Sequence, residues 1–388
     1  MRASALALLG MLVHQDPGAD ILELPAPPSV PETMAREEVH APLDRAVHYL
    51  LVNQRKDGAW GSRAPETVLE LGFAPESFYS WQLASQGLAA MALAAVPKTP
   101  ERERALKRAI DWLVDTRLPT RASDWDVDNV WSSLYGFVAC VELLDGERVT
   151  ERQQRSRLRE RGEEFLAILG RYQALSGGWA YYDDPPFDTV PTWATSFCTA
   201  MILPALVSAD AQGFGVGERT IERAVRYVRR CALPNGAYAY DLTPVTRLAG
   251  VEHINLVQGS LGRIQVCNWG LARAGVPQIT NEVVREGLQN FMEHHPFLDH
   301  VRTRPIPHEG YHANAGYFYY FGHYYAARAI GLLPEQEREY WQSRLRPHLV
   351  KTQWASGGAS DFLDSGYLVA ASTSYLILAL QEGLSETR

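Results

Sequence analysis

From residue 43 onward the chain alternates two hydrophobic patterns. In the first, apolar residues return every three or four positions and charges fill the remaining faces. Leu43, Ala46, Val47, Leu50 and Leu51 form one such stripe, and Ala105, Leu106, Ala109, Ile110, Leu113 and Val114 the next. It recurs as Leu158, Gly162, Phe165, Leu166 and Leu169, then as Ile221, Ala224, Val225 and Val228. Val284, Leu288, Phe291 and Met292 repeat it, and Trp341, Leu345 and Leu349 close the series. This spacing predicts six helices with one wet face each. The second pattern occupies residues 78–95, 129–144, 193–209, 259–274, 313–332 and 366–380, rich in Ala, Gly, Ser and aromatics with few charges. Such segments predict helices buried on nearly every side. One-sided helices alternating with fully buried ones imply two concentric layers. Six of each close a ring, so the expected fold is an all-α (α/α)6 toroid of six outer and six inner helices. The inner helices should run parallel, each entered from an outer helix through a Gly/aromatic turn. Strand signals are nearly absent. Pro204 and Pro347 fall inside expected helices and should kink or break them.

The ends of the chain read differently. Arg2 followed by an apolar run from Ala3 to Val13 has the form of a secretory signal, so residues 1–19 are a candidate signal peptide and export to the periplasm or outside the cell is expected. Without that signal the protein would stay in the cytoplasm. Pro25, Pro27, Pro28 and Pro31 mark residues 20–42 as a stiff linker, leaving 43–388 as a single helical domain. No apolar run reaches the length of a membrane span. With 46% hydrophobic and 21% charged residues the chain can build a large core. Its net charge of −8 argues against a nucleic-acid partner, which needs a basic face. Cys140, Cys198, Cys231 and Cys267 are widely spaced and read as core residues rather than metal ligands or disulfides.

The turns between the two kinds of helix carry a resemblance. The run Gln54-Arg55-Lys56-Asp57-Gly58-Ala59-Trp60 resembles the Gln–Trp repeat of squalene–hopene and related terpene cyclases. Degenerate copies are Gly177-Gly178-Trp179, Asn235-Gly236-Ala237-Tyr238, and the segment from Gln353 through Trp354 to Gly357 and Gly358. Glycine permits the sharp reversal and the aromatic pins the turn to its neighbours, so these residues are structural. The resemblance covers residues 43–380 and extends to the protein prenyltransferases, which share the toroid. In the run Tyr317–Tyr325, followed by Trp341, Arg346 and Pro347, it is nearest to exported bacterial prenyltransferase/squalene-oxidase-repeat proteins of unassigned activity. What it implies is the fold and the location of reactive groups, near the entrances to the inner helices.

Three constellations fall at those entrances. Asp126-Val127-Asp128-Asn129 is similar to the DxDD acid motif of class II terpene cyclases, which implies Asp128 as proton donor and Asp126 as its partner. Asn129 departs from that pattern by placing a neutral amide at the last position. Asp and Asn at a helix start also suit simple capping of free N–H groups. His308-Glu309-Gly310-Tyr311-His312 is a formal HExxH, making His308 and His312 candidate zinc ligands within a cluster that includes His294, His295 and His300. The surrounding prolines and Gly310 predict a loop there instead of a metal-binding helix. The third is a polar–aromatic lining of Tyr79, Trp81, Trp131, Trp193, Trp269, His312, Asn314, Tyr317 and Tyr367, suited to a ligand cavity.

The sequence thus supports three functions. The first is a toroid that binds a hydrophobic or carbohydrate small molecule without catalysis and without a resident cofactor. The second is a cyclase-like enzyme acting on an isoprenoid through Asp128. The third is a polysaccharide lyase or hydrolase using the region from His308 to Tyr317.

Overall fold

The computed structural model describes residues 32–384 except 63, 66–68, 122, 184–189, 243–251, 304–314 and 363–365. The outer helices are α1 (His40–Asn53), α3 (Pro100–Asp115), α5 (Arg152–Tyr172), α7 (Glu218–Cys231), α9 (Asn281–Glu293) and α12 (Glu335–Val350). The inner helices are α2 (Pro75–Ala95), α4 (Asn129–Asp145), α6 (Ser196–Ala211), α8 (Leu261–Arg273), α11 (Tyr319–Ile330) and α13 (Val369–Glu382). A short α10 (His295–Val301) follows α9. Each inner helix packs on the next in the order α2, α4, α6, α8, α11, α13, and α13 returns to α2. The ring is closed, and no strand occurs among the described residues.

Burial follows the two sequence patterns. Every residue of α2 from Ser77 to Leu93 is buried, whereas α3 buries a stripe of Ala105, Leu106, Ala109, Ile110, Trp112 and Leu113. Outer helices therefore meet water on one side and the ring on the other. Helices α6 and α12 continue through Pro204 and Pro347 without the expected break. One missing N–H is outweighed by packing along the whole helix.

The outer-to-inner turns share one device. The side-chain amide of Gln54 donates to the carbonyl of Gly58 (2.9 Å) and to that of Ala105 in α3 (2.9 Å). Gln173 does the same to Gly177 (2.9 Å) and Thr220 of α7 (3.1 Å). Gln353 bonds Gly357 (3.1 Å) and Pro42 of α1 (2.9 Å), tying the last outer helix to the first. The three glycines have φ of 95°, 105° and 95°. At Gly177 an added Cβ would lie 2.5 Å from the Arg223 carbonyl oxygen, so the turn also needs glycine for close approach. Trp60 and Trp179 then donate their indole N–H to Leu50 and Leu169 (2.8 Å each).

The packed region begins before Leu43. Met34 donates its backbone N–H to Ser343 (2.8 Å), and Val39 is fully buried, so residues from Met34 belong to the domain although their composition reads as linker. Residues 1–31, with the candidate signal segment, lie outside the described residues. Among the described residues no helix is long and apolar enough to cross a membrane.

Candidate functional site

Asp128 opens α4 in an unusual conformation. Its φ is 62° and its ψ 19°, the left-handed region, and it is the one non-glycine residue with positive φ among the described residues. Asp tolerates that region better than most side chains, at a cost of about 1–2 kcal/mol. The twist decides where the carboxylate goes. It makes no capping bond to α4. Instead Oδ2 accepts a hydrogen bond from the Trp81 indole N–H of α2 (2.8 Å), and the Asp128 carbonyl accepts from the Ser80 hydroxyl (2.7 Å). Asp128 keeps a partly open face, yet protein surrounds it closely enough that desolvation dominates its titration. Burial pushes its pKa up to about 7, against the opposing pull of the Trp81 bond and the Arg121 charge.

The neighbours of Asp128 point elsewhere. Asp126 accepts a bond from the Ser123 hydroxyl (3.1 Å). The Asn129 amide donates to the Tyr172 hydroxyl (3.3 Å), away from Trp81, while Asn129 Oδ1 is buried without a partner. Arg121 and Asp183 form an ion pair at 3.1 Å with both side chains nearly fully buried. Of the three residues of the acid-like motif, Asp128 is the one bonded to Trp81, while Asp126 and Asn129 bond Ser123 and Tyr172.

Aromatic rings line the approach. Trp81 stacks on Tyr367 with centroids 4.1 Å apart, and Phe73 and Phe78 meet its edges. Tyr367 shares a hydrogen bond with Tyr317. Next to Asp128 along the ring, Trp131 stacks on Tyr181 (5.5 Å) and Tyr135 (5.2 Å) and tilts against Phe197. Trp193 meets Tyr181 and Tyr182, and Phe197 meets Tyr240 and Phe318. Deeper on the axis, Tyr375 of α13 donates to the hydroxyl of Tyr135 of α4 at 2.6 Å. Phe321 and Tyr324 pack on Tyr375 there. These rings form a floor between the two mouths of the toroid.

The remaining expected cavity residues separate. Trp81, Trp131, Trp193, Tyr317 and Tyr367 cluster at the mouth formed by the inner-helix N-termini. Tyr79 turns outward, its hydroxyl bonded to Thr116 and to the Arg117 carbonyl (2.8 Å). Trp269 lies at the opposite mouth, under the Arg328 guanidinium (4.7 Å), where it lines a cavity of about 960 Å³ formed by inner-helix C-termini. Clustering of the helix starts at one end and the helix ends at the other shows that the inner helices run parallel. His308, His312 and Asn314 lie outside the described residues. Among the described residues, His295, Asp299 and His348 each bring one ligand atom within 4.8 Å of the others.

This ring of paired helices has clear structural relatives. The fold is an α/α toroid. A type II terpene cyclase from Scytonema is similar over 90% of this chain and 98% of its own, with a TM-score of 0.52 and 12% identity. An α-1,6-mannanase of Salegentibacter sp. HEL1_6, an inactive variant in complex with an α-1,6-mannotetraose, gives 0.54 and 12% identity over 91% of this chain and 100% of that one. A D-mannose isomerase gives 0.56 and 12% over 92% and 99%. At such identity these likenesses speak for the fold. No protein-family model matches the sequence, and no curated protein matches it.

Several site residues were not picked out by the sequence. Tyr181, Phe197 and Tyr240 read as ordinary core or turn residues, and the Arg121–Asp183 pair joins two loops that are far apart in the chain. The recurrence of an aromatic just after each Gly turn could have flagged Tyr240, two residues past Tyr238.

Proposed function

We propose that the mouth at the inner-helix N-termini is an active site in which Asp128 donates a proton to an apolar, π-bonded substrate of the isoprenoid class. The observation that carries this reading is the left-handed conformation that takes the Asp128 carboxylate off the helix end and sets it against Trp81. Strain held at one residue whose side chain gives its helix no capping bond points to function. Desolvation leaves a large share of the acid protonated near neutrality, which a proton donor requires. A pKa raised to about 7 makes Asp128 a weak acid, so among isoprenoids an epoxide, whose oxygen is a better base than an alkene carbon, is the more suitable acceptor.

In that reaction the Asp128 O–H bond breaks and a C–H or O–H bond forms on the substrate. The carboxylate left behind accepts the Trp81 N–H bond and feels the Arg121 charge. The positive charge gained by the substrate moves along the faces of Trp131, Tyr181 and Phe197, whose π-systems attract cations. A final proton leaves the product to water, and the Asp128 carboxylate takes one back from water at its partly open face. The resemblance to class II terpene cyclases supports this reading. Asn129 departs from it, since no second carboxylate adjoins the acid.

The test is direct. The full-length protein is incubated with squalene, oxidosqualene and geranylgeranyl-type polyprenes, and products are read by mass spectrometry. Cyclised product from the wild type, absent with folded Asp128→Asn, is the expected result. Unchanged substrates would overturn the proposal. Binding without turnover would return the toroid to a carrier role, and cleavage of α-1,6-mannan or a uronate polysaccharide would assign it to the sugar-active enzymes.

A further inference from the structure

Away from that mouth, three histidines from three helices meet where α10, α11 and α12 pack together. His323 of α11 has Nδ1 2.6 Å from the Tyr319 carbonyl, an acceptor, so this nitrogen carries a hydrogen. Its Nε2 lies 2.9 Å from Nε2 of His295 on α10. Both rings are fully buried, which disfavours a third proton on the pair. His323 Nε2 is then a bare acceptor and the shared hydrogen belongs to His295 Nε2. It follows that His295 Nδ1 presents a lone pair. That lone pair faces Asp299 Oδ2 at 3.1 Å, an acceptor facing an acceptor.

His348 of α12 stacks on His295 with centroids 3.6 Å apart. Its Nδ1 accepts from the Lys351 ammonium at 3.2 Å, and the same ammonium reaches Asp299 Oδ2 at 2.5 Å. Two imidazole nitrogens and a carboxylate thus converge around a cation that belongs to the chain itself. We propose that His295, Asp299 and His348 bind one divalent transition-metal ion, which displaces the Lys351 ammonium.

Two imidazoles and one carboxylate are the donor set of zinc, cobalt or nickel, whereas calcium and magnesium take oxygen donors. The 3.1 Å separation of His295 Nδ1 and Asp299 Oδ2 suits adjacent ligands on one ion. The outer contacts match such a site. His295 hands its second nitrogen to His323, which fixes its tautomer, and the Tyr319 hydroxyl, which donates to the His348 carbonyl at 2.9 Å, lies 3.4 Å from Asp299 Oδ1. His348 must turn out of its stack to direct Nδ1 at the ion. Asp299 and Lys351 are partly exposed, so water completes the coordination.

The experiment uses full-length protein without a polyhistidine tag, stripped by chelator and titrated near neutrality with Co²⁺ (followed by visible absorption) and with Zn²⁺ (followed by calorimetry). One ion per chain is expected. Asp299→Asn and His348→Gln should weaken binding by about ten- to hundredfold or more. Lys351→Met should tighten it by at least roughly tenfold, because a like charge is removed from the site. Circular dichroism of each variant separates lost binding from lost fold. Absence of binding to both wild type and Lys351→Met would overturn the proposal, as would binding indifferent to Asp299 and Lys351.

Discussion

Replacing Asp128 by asparagine should stabilise this protein at high pH while removing its proton donor. Asparagine adopts the left-handed region as readily as aspartate, and its oxygen can accept the Trp81 bond, so the backbone need not change. The difference lies in charge. In the unfolded chain the carboxyl titrates near 3.8, and in the folded protein near 7. Stability contributed by the protonated form is full below the lower value and is lost as pH rises through the upper one. About three pH units at ~1.36 kcal/mol each come to about 4 kcal/mol, an upper figure because the open face lets water solvate part of the charge. Urea denaturation of wild type and Asp128→Asn at roughly pH 5 and about pH 9 measures it. Because the unfolded carboxyl is already largely ionised at about pH 5, the variant's advantage should grow between the two conditions by at most about 2.7 kcal/mol, the two units left below the folded value. An advantage that is the same at both pH values, or a carboxyl found by NMR below its ordinary range, would refute the desolvated-acid argument.

Other outcomes follow from named contacts. Gly177→Ala should cost about 3 kcal/mol or more by urea denaturation, since it adds a clash with the Arg223 carbonyl to the left-handed penalty, whereas Gly215→Ala, with φ of 73° and open space around it, should cost only about 1 kcal/mol. Tyr375→Phe removes the hydroxyl bridge to Tyr135 and should cost about 1–2 kcal/mol while leaving Asp128 chemistry unaltered. Trp81→Phe removes the donor that favours the Asp128 anion, so the titration midpoint of Asp128 should move upward; a downward shift in an NMR titration would contradict the assigned bond.

The layers were legible because helix burial writes itself into periodicity. A stripe such as Leu43, Ala46, Val47 and Leu50 has one dry face, and the run from Ser77 to Leu93 has no wet one. The Gly/aromatic turns were legible for the same local reason. Gln173 escaped notice because its role is tertiary, a bond to a carbonyl in another outer helix. The site was legible in residue type but not in direction. Asp128 stands where an aspartate ordinarily caps, and a single dihedral of opposite sign carries its side chain into the ring. Tyr79 and Trp269 share composition with Trp81 and Trp131, yet phase around the axis and height along it send one outward and the other to the far mouth. Asp299 and His348 join His295 only through packing of α10 on α12, which no spacing in the chain announces.

The bond from Gln353 to the Pro42 carbonyl has a consequence for synthesis. It closes the ring across some three hundred residues, so α1 leaves the ribosome long before α12 and α13 exist to cover it. At about 5–20 residues per second that wait lasts on the order of 15–60 seconds. During it the apolar faces of α1 and α2 that later meet α13 stay uncovered. Deletion of that last helix should therefore leave those faces permanently open and yield aggregates instead of a shortened toroid.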